Sequence, residues 1–341
     1  MSPKNLNASK KTHNFLFNKL KDKRTLQIYK KFESELAINS NFIVAVSGGP
    51  DSLALSFLAK IYSIKNSLDV KYFIVDHKLR KNSTLEAKSV QKKLKNFSIK
   101  LNILTWKGVK PKKNIQSIAR EKRYKLLTDA AKKYKIQNIL LGHHLDDLFE
   151  NFFIRILRGS GLKGLISLDK ETHKNQINLI RPLIKIDKKD LIYISNFIFG
   201  SYIKDPSNED DSFKRVKVRN FLEQLSSEGF DRKKFFLTIK NLKLANENIE
   251  FYTKKNLEDN VTILSQKNNI ILKENFFSQS NEVVFRSLTE IIKIVGKKYY
   301  AVRGKKIDKV IDLINTKFSF KVTLGGCIIK KVNETVILSK E

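Results

Sequence analysis

The chain has little cysteine, no long apolar run and few acidic residues. Its 341 residues include a single cysteine, Cys327, which excludes an intramolecular disulfide framework and a cysteine-ligated metal cluster. No apolar run approaches the roughly 20 residues that a membrane-spanning helix needs, and residues 1–31 lack the apolar stretch of a signal peptide. We therefore expect a cytoplasmic protein with no membrane partner.

The shortage of acidic residues leaves a large positive charge. The 34 aspartates and glutamates face 67 lysines and arginines, which gives a formal net charge of +33. This excess favours a polyanionic partner, and nucleic acid over a membrane surface. The alternative is compositional bias, because lysine, asparagine and isoleucine are all abundant, as they are in proteins from AT-rich genomes. Binding of RNA would depend strongly on salt.

Residues 41 to about 205 alternate short apolar stretches with helical patterns. We predict strands at 42–46, 70–75, 100–105 and 138–141, and helices near 52–65, 84–96, 114–134 and 146–158. A βαβα order of this kind predicts an α/β fold with a Rossmann-like, doubly wound parallel sheet. Ligands bind at the carboxyl ends of the strands in this architecture, and the polar motifs described next follow such strands.

The predicted central domain spans 41–211 and ends in an acidic, turn-rich break at 205–211. Three further segments flank it. Residues 1–40 predict a basic leader followed by a helix. Residues 212–257 predict a basic helical linker, and residues 258–341 a small α+β domain. Within that domain we expect strands at 261–264, 270–272, 318–323 and 327–338, and helices near 281–295 and 304–316.

The first predicted strand is followed by a glycine-containing loop, Ser47-Gly48-Gly49-Pro50-Asp51-Ser52. Between a strand and a helix, backbone N–H groups point at an anion, and adjacent glycines let the backbone approach a phosphate. Asp51 repels phosphate unless a cation such as Mg²⁺ lies between them. The loop is not a Walker A motif, because it is too short and lacks the Lys-Ser/Thr pair. The alternative interpretation is an ordinary strand-to-helix turn.

A cluster of histidines and acids, Gly142-His143-His144-Leu145-Asp146-Asp147, follows the fourth predicted strand, and Glu150 comes one helical turn later. The three carboxylates can share one side of a helix. They would be neutralised by Mg²⁺ carrying ATP, by a cationic substrate or by a structural ion pair. Two alternatives remain: a solvated helix start, where the helix dipole favours acids, and a zinc site with His143, although no third soft ligand is evident.

These motifs, in this order, resemble those of the tRNA(Ile)-lysidine synthetase (synthase) family, which are N-type ATP pyrophosphatases of the PP-loop superfamily. The similarity is dense from 41 to 220 and looser beyond, where Thr323-Leu324-Gly325-Gly326-Cys327 resembles the family's small second domain. Further matching stretches are Val75–Arg80, Ala119–Tyr124, Arg158–Leu165, Arg181–Leu183, Asp205–Asn208 and Arg215–Arg219. Longer members carry another domain beyond this one; we expect it to be absent here.

The resemblance implies a ligase that forms a carbon–nitrogen bond. ATP adenylates the wobble cytidine of a CAU-anticodon tRNA(Ile), with release of pyrophosphate. The amine of free L-lysine then displaces AMP and gives lysidine. ATP and Mg²⁺ are the implied cofactors, the domain at 258–341 is expected to bind tRNA, and the oligomeric state stays open between monomer and homodimer.

The resemblance also implies roles for single residues. The loop 47–52 and His77 would bind ATP, with Asp51 and Asp146 supporting Mg²⁺. The residues expected to take part in catalysis are Asp51, Arg120, Asp147 and Glu150. The residues expected to bind the substrates are Arg123, Asp147, Glu150, Arg215, Lys217 and Arg219. For the basic residues the alternatives are surface ion pairs and a solvated face.

Within this scheme Asp147 and Glu150 would receive the ammonium group of lysine. Attack requires the neutral amine, whose free pKa is about 10.4, so a base must accept a proton. Asp147, Glu150 and His77 are the candidates, and the sequence does not choose among them. The chain departs from the family at Leu148 and Asn151, where Gln and Thr are usual, and at 216–217, where Asn and Arg are usual.

Other functions are disfavoured by what the chain lacks. Thiolation enzymes of the same superfamily need cysteine pairs or an iron–sulfur cluster, and one cysteine far from the motifs argues against them. Asparagine and GMP synthetases carry glutamine-hydrolysing domains, of which the sequence shows no sign. A non-catalytic RNA-binding protein on a degenerate scaffold is disfavoured because the acidic motif residues are intact.

Overall fold

The computed structural model describes residues 13–80, 82–108, 111, 113–174, 176–203, 214–264, 269–297 and 302–341. The chain divides into two compact units, Met1–Phe230 and Asp231–Glu341. This division lies within the segment expected to form a helical linker, 212–257. Asp231 caps the helix that opens the second unit, because its carboxylate accepts hydrogen bonds from the N–H groups of Lys233 and Lys234.

The first unit alternates strands and helices through most of its length. In chain order it contains α1 (Lys23–Glu35), β1 (Phe42–Val46), α2 (Pro50–Lys65), β2 (Val70–Asp76), α3 (Ser83–Lys95), β3 (Leu101–Thr105), α4 (Ile115–Lys133), β4 (Asn138–Leu140), α5 (Leu145–Ile156), α6 (Leu162–Leu165), β5 (Glu171–Lys174), β6 (Ile177–Ile180), α7 (Lys188–Phe199) and α8 (Lys214–Ser227).

The first unit contains a six-stranded sheet in the order β3-β2-β1-β4-β6-β5. Five strands run parallel, and β1 lies between β2 and β4, with Phe42 opposite both Val70 and Asn138. This confirms the predicted α/β fold. The edge strand β5 is antiparallel to β6, so the sheet is not purely parallel as the βαβα pattern implied. The sequence Glu171–Lys174 is polar and gave no strand signal.

Helices cover both faces of this sheet. Along β1, alternate side chains point to opposite faces, so that Phe42 packs with α1, α2 and α3 while Ile43 packs on the other side with Leu127 and Ala131 of α4. Phe32 and Phe57 are fully buried in the first layer. These two apolar layers fix the sheet, and thereby fix the positions of the loops at the carboxyl ends of its strands.

The second unit is a separate α+β structure. It contains α9 (Arg232–Asn260), β7 (Val261–Leu264), β8 (Asn269–Leu272), α10 (Asn281–Gly296), α11 (Gly304–Thr316), β9 (Ser319–Leu324), β10 (Cys327–Val332) and β11 (Thr335–Lys340). Its strands form an antiparallel sheet in the order β7-β8-β11-β10-β9. The stretch expected as strand at 327–338 is a hairpin of two strands. No helix in the described parts of either unit is both long and apolar enough to cross a membrane.

Candidate active site

A cavity of about 580 Å³ lies at the carboxyl edge of the parallel sheet, next to the ends of β1 and β2. It brings together residues that are far apart in the sequence. The predicted site residues that line it are Ser47, Asp51, Ser52, His77, Arg120, Arg123, Asp147 and Arg215. The predicted residues that do not line it are Gly48, Gly49, Pro50, Asp146, Glu150, Lys217 and Arg219.

The glycine loop is closed by the hydroxyl group of Ser52. This oxygen accepts hydrogen bonds from the N–H groups of Ser47 and Gly48, each at 3.0 Å, and donates one to the carbonyl oxygen of Gly49 at 3.0 Å. Gly48 has a φ of +90°, which side chains with a Cβ rarely adopt. Pro50 starts α2, where its missing N–H costs nothing. Ser52 therefore shapes the loop from within, while Ser47 is exposed at its rim.

His144 lies among three carboxylates. Its Nε2 atom is 3.6 Å from an oxygen of Asp51 and 3.4 Å from one of Asp147, and its Nδ1 atom is 3.6 Å from an oxygen of Asp146. Burial alone would lower the pKa of His144, but the carboxylates, Asp147 foremost, raise it to about 10. His144 is therefore an internal cation at neutral pH. No role for His144 was predicted from the sequence, because spacing does not show where a side chain points.

Asp147 and Asp146 have different surroundings. The carboxylate of Asp147 accepts a hydrogen bond from the N–H of His144 at 3.0 Å, which caps α5, and it lines the cavity. Burial tends to raise the pKa of Asp147, but the cationic His144 outweighs burial and holds it below the usual value. Asp146 instead accepts a hydrogen bond from the N–H of Lys188 at 3.0 Å. Asp146 thus ties α5 to the start of α7.

His143 differs from its neighbour His144 in charge. Burial, followed by the nearby arginines Arg181, Arg120 and Arg123, lowers the pKa of His143 to about 3 against the opposing effect of Asp147. His143 is a neutral imidazole that lines the cavity. For the zinc alternative, the described residues include no group of three or more histidine, cysteine or acidic side chains suited to a metal ion.

Part of the cavity wall is basic. Arg120 donates a hydrogen bond to the hydroxyl of Tyr124 at 3.0 Å, and the guanidinium groups of Arg120 and Arg123 lie 5.0 and 5.6 Å from the centre of the Tyr124 ring. Burial, and next the charge of Arg123, lowers the pKa of His77, which lines the cavity nearby. Carboxylates and arginines therefore line one cavity.

Glu150 and Arg219 contact each other rather than the cavity. Arg219 donates from Nε to one carboxylate oxygen of Glu150 at 2.5 Å and from Nη2 to the other at 3.3 Å. Glu150 is 1% exposed, and burial raises its pKa although Arg219 opposes the shift. The two carboxylates expected to act together are thus separated: Asp147 faces the cavity and Glu150 holds an arginine from α8. Lys217, on the same helix, is exposed.

Comparisons with known proteins show which family the chain belongs to. Residues 19–225 match the model of the PP-loop domain family. The chain is 32% identical to the tRNA(Ile)-lysidine synthase of Wolbachia pipientis wMel and 30% identical to that of Wolbachia sp. subsp. Brugia malayi (strain TRS). Each alignment covers 306 residues, 89% of this chain and 71% of the relative.

A solved structure shares the fold. The U34-tRNA thiolase NcsA from Methanococcus maripaludis, determined with its 4Fe–4S cluster, superposes with a TM-score of 0.57 over 66% of this chain and 79% of that chain, at 18% identity. At this identity the likeness shows the architecture alone, whereas the similarity to lysidine synthases extends through most of the sequence. The chain belongs to the tRNA(Ile)-lysidine synthase family and carries that family's PP-loop domain.

Proposed function

We propose that this protein joins free L-lysine to the wobble cytidine of a CAU-anticodon tRNA(Ile), using ATP and releasing AMP and pyrophosphate. The observation that supports this most directly is the cavity, which is lined by a glycine loop of the phosphate-binding type, the carboxylate of Asp147 and several arginines. Adenylation followed by amine attack needs all three features: the loop for the phosphates of ATP, the carboxylate for the lysine cation and the arginines for the anionic nucleic acid.

The loop 47–52 would hold the phosphates of ATP. The loop lies at the start of α2, where the helix dipole favours an anion. Asp51 fits a magnesium ion, because its Oδ1 atom is buried without a hydrogen-bond partner in the described part of the chain. Mg²⁺ commonly uses one or two carboxylates together with phosphate oxygens, and it would neutralise charge on the leaving pyrophosphate. Asp146 fits less well, since Lys188 engages one of its oxygens.

Asp147 would receive the ammonium group of lysine, since it lines the cavity and is held ionised by His144. Glu150 is the second candidate ligand, one helical turn away. Its raised pKa makes Glu150 the stronger base of the two, and this supports Glu150 as the acceptor of the lysine proton once a cation other than Arg219 faces it. His77 is the third candidate, a cavity-lining imidazole whose pKa is lowered by burial.

The basic wall would receive the nucleic acid. Guanidinium groups of Arg120, Arg123 and Arg215 line the cavity and suit the phosphates of ATP or of tRNA. Lys217, exposed on the same helix as Arg215, would add a phosphate contact. The second unit is the expected tRNA-binding domain, and a cytoplasmic location would place the enzyme with its tRNA. The net charge of +33 supports this partner.

The test uses purified protein with ATP, Mg²⁺, CAU-anticodon tRNA(Ile) and radiolabelled lysine. Label in the tRNA, with pyrophosphate released in equal amount, supports the proposal. Pyrophosphate release without label would keep ATP chemistry and exclude lysine as the nucleophile. Binding of tRNA with neither product would indicate a non-catalytic RNA-binding protein. A matched reaction with tRNA(Met), which has the same anticodon, measures selectivity.

A further inference from the structure

Two residues with different expected partners are bonded to each other in this structure. Glu150 is expected to bind the lysine ammonium, and Arg219 a phosphate of the tRNA. Instead, the guanidinium of Arg219 contacts both oxygens of the Glu150 carboxylate. Glu150 is 1% exposed and the guanidinium covers both of its oxygens, so the way to this carboxylate is occupied by Arg219. Substrate lysine therefore reaches Glu150 only if the Arg219 side chain moves.

The pair lies directly beside the cavity. Asp147 precedes Glu150 by one turn of α5, and Arg215 precedes Arg219 by one turn of α8, and both of these preceding residues line the cavity. Residues three or four apart on a helix share a face. If the Arg219 side chain moved away, the cavity would therefore extend from Asp147 to Glu150.

The two partners differ in their access to solvent. The side chain of Glu150 is 2% exposed and that of Arg219 is 24% exposed. Apolar packing holds the helices themselves, since Phe153 of α5 contacts Phe221 of α8 with ring centres 5.6 Å apart. The long arginine side chain can swing outward while α8 stays in place. The glutamate stays buried and requires a cation in its place, because a buried unpaired carboxylate is costly.

We propose that Arg219 is a specificity-determining internal cation that competes with substrate lysine for Glu150, and that a tRNA phosphate draws it away. This inference rests on the proposed function. In solution without tRNA, Arg219 occupies the carboxylate and lysine binds through Asp147 alone. With tRNA bound, the guanidinium pairs with phosphate, Glu150 becomes available, and lysine binds to both carboxylates. Lysine thus binds to both carboxylates only after the tRNA that accepts it has bound.

The test measures the Kd of radiolabelled lysine by equilibrium dialysis, with a non-hydrolysable ATP analogue, in the presence and absence of CAU-anticodon tRNA(Ile). The variants are R219Q, which removes the internal cation, and R219K, which keeps one. R24Q is the matched control, because Arg24 also bonds a carboxylate, that of Asp190, at an exposed position that does not line the cavity.

We expect wild type and R219K to bind lysine about tenfold more tightly with tRNA than without it, the effect of one added charge-assisted contact. R219Q should bind lysine tightly without tRNA and lose the tRNA effect, whereas R24Q should match wild type without tRNA. If R219Q binds lysine equally or more weakly without tRNA, Arg219 only holds Glu150 in place and the proposal is overturned.

R219Q leaves a buried carboxylate without its cation, so we expect R219Q to unfold at a lower temperature than wild type. Added lysine should then raise the Tm of R219Q more than that of wild type, and the double variant R219Q/E150Q should lose this effect. Equal lysine shifts in all three proteins would contradict the competition. Failure of the proposed function is distinguishable, because wild type would then incorporate no lysine into tRNA, whatever the variants do.

Discussion

The Nε2 atom of His144 lies 3.6 Å from the Oδ2 atom of Asp51, so that a residue at the start of α5 contacts the glycine loop that begins α2. His144 also faces Asp147 at 3.4 Å. The end of the cavity expected to hold phosphate and the end expected to hold lysine therefore share one buried cation. This contact links two motifs that lie more than 90 residues apart in the sequence.

His144 should make the stability of the enzyme depend on alkaline pH. Its pKa is raised from 6.5 to about 10 in the folded state. A raised pKa stabilises the folded state. This stabilisation is complete below pH 6.5 and is lost as the pH rises to about 10. The measurement is thermal unfolding of wild type and H144Q from pH 6 to pH 10. The difference in Tm should shrink toward high pH, and a constant difference would contradict the charge assigned to His144.

Asp51 should be required for the ATP step without being required for folding. D51N removes the charge from the carboxylate that fits Mg²⁺ and should reduce pyrophosphate release by about 10²-fold or more. D69N is the matched control, because Asp69 makes an exposed ion pair with Lys71. Release by D51N within about threefold of D69N, at equal Tm, would remove Asp51 from the phosphate site.

Asp147 and Glu150 should affect lysine more than ATP. Glu150→Ala should leave ATP–pyrophosphate exchange detectable while the KM for lysine rises about tenfold, because one charged contact is lost. D147N should raise this KM further, since Asp147 lines the cavity directly. The measurement is lysine-dependent product formation beside exchange in the same preparation. An unchanged lysine KM in both variants would show that lysine binds elsewhere.

Gly48 should not tolerate a side chain. At a φ of +90° a Cβ is strained, and it would lie 2.7 Å from Cγ2 of Val90. G48A should destabilise the first unit by about 1–3 kcal/mol and raise the KM for ATP. G161A is the control, because a Cβ at Gly161 meets nothing within 4 Å. The double variant G48A/V90A tests the clash: V90A, which removes buried methyl groups, should cost less stability in the G48A background than in wild type.

Much of the first unit was predictable because its strands are short and apolar and its helices are amphipathic or buried. β1 begins and ends where Phe42 and Val46 suggested, and the loop after it is where the glycines placed it. The strand β5 was missed because an exposed edge strand needs no apolar alternation. Residue spacing located the motifs, and the family followed from their order.

The pairing of charges was not predictable from the sequence. Glu150 and Arg219 are 69 positions apart, and they meet because the aromatic side chains of α5 and α8 pack together. The spacing predicted that Asp147 and Glu150 lie on one helix, but it could not show that an arginine is bonded to Glu150. The role of His144 was hidden for the same reason, since its partners come from α2 as well as from its own helix.

The most direct test of the account is the mass of the wobble nucleoside. CAU-anticodon tRNA(Ile) is incubated with the enzyme, ATP, Mg²⁺ and lysine, digested to nucleosides and analysed by mass spectrometry, with D51N in parallel. In the wild-type reaction only, the mass of the cytidine should increase by that of lysine less one water. Unmodified cytidine, under conditions in which ATP is split to AMP and pyrophosphate, would contradict the proposed function.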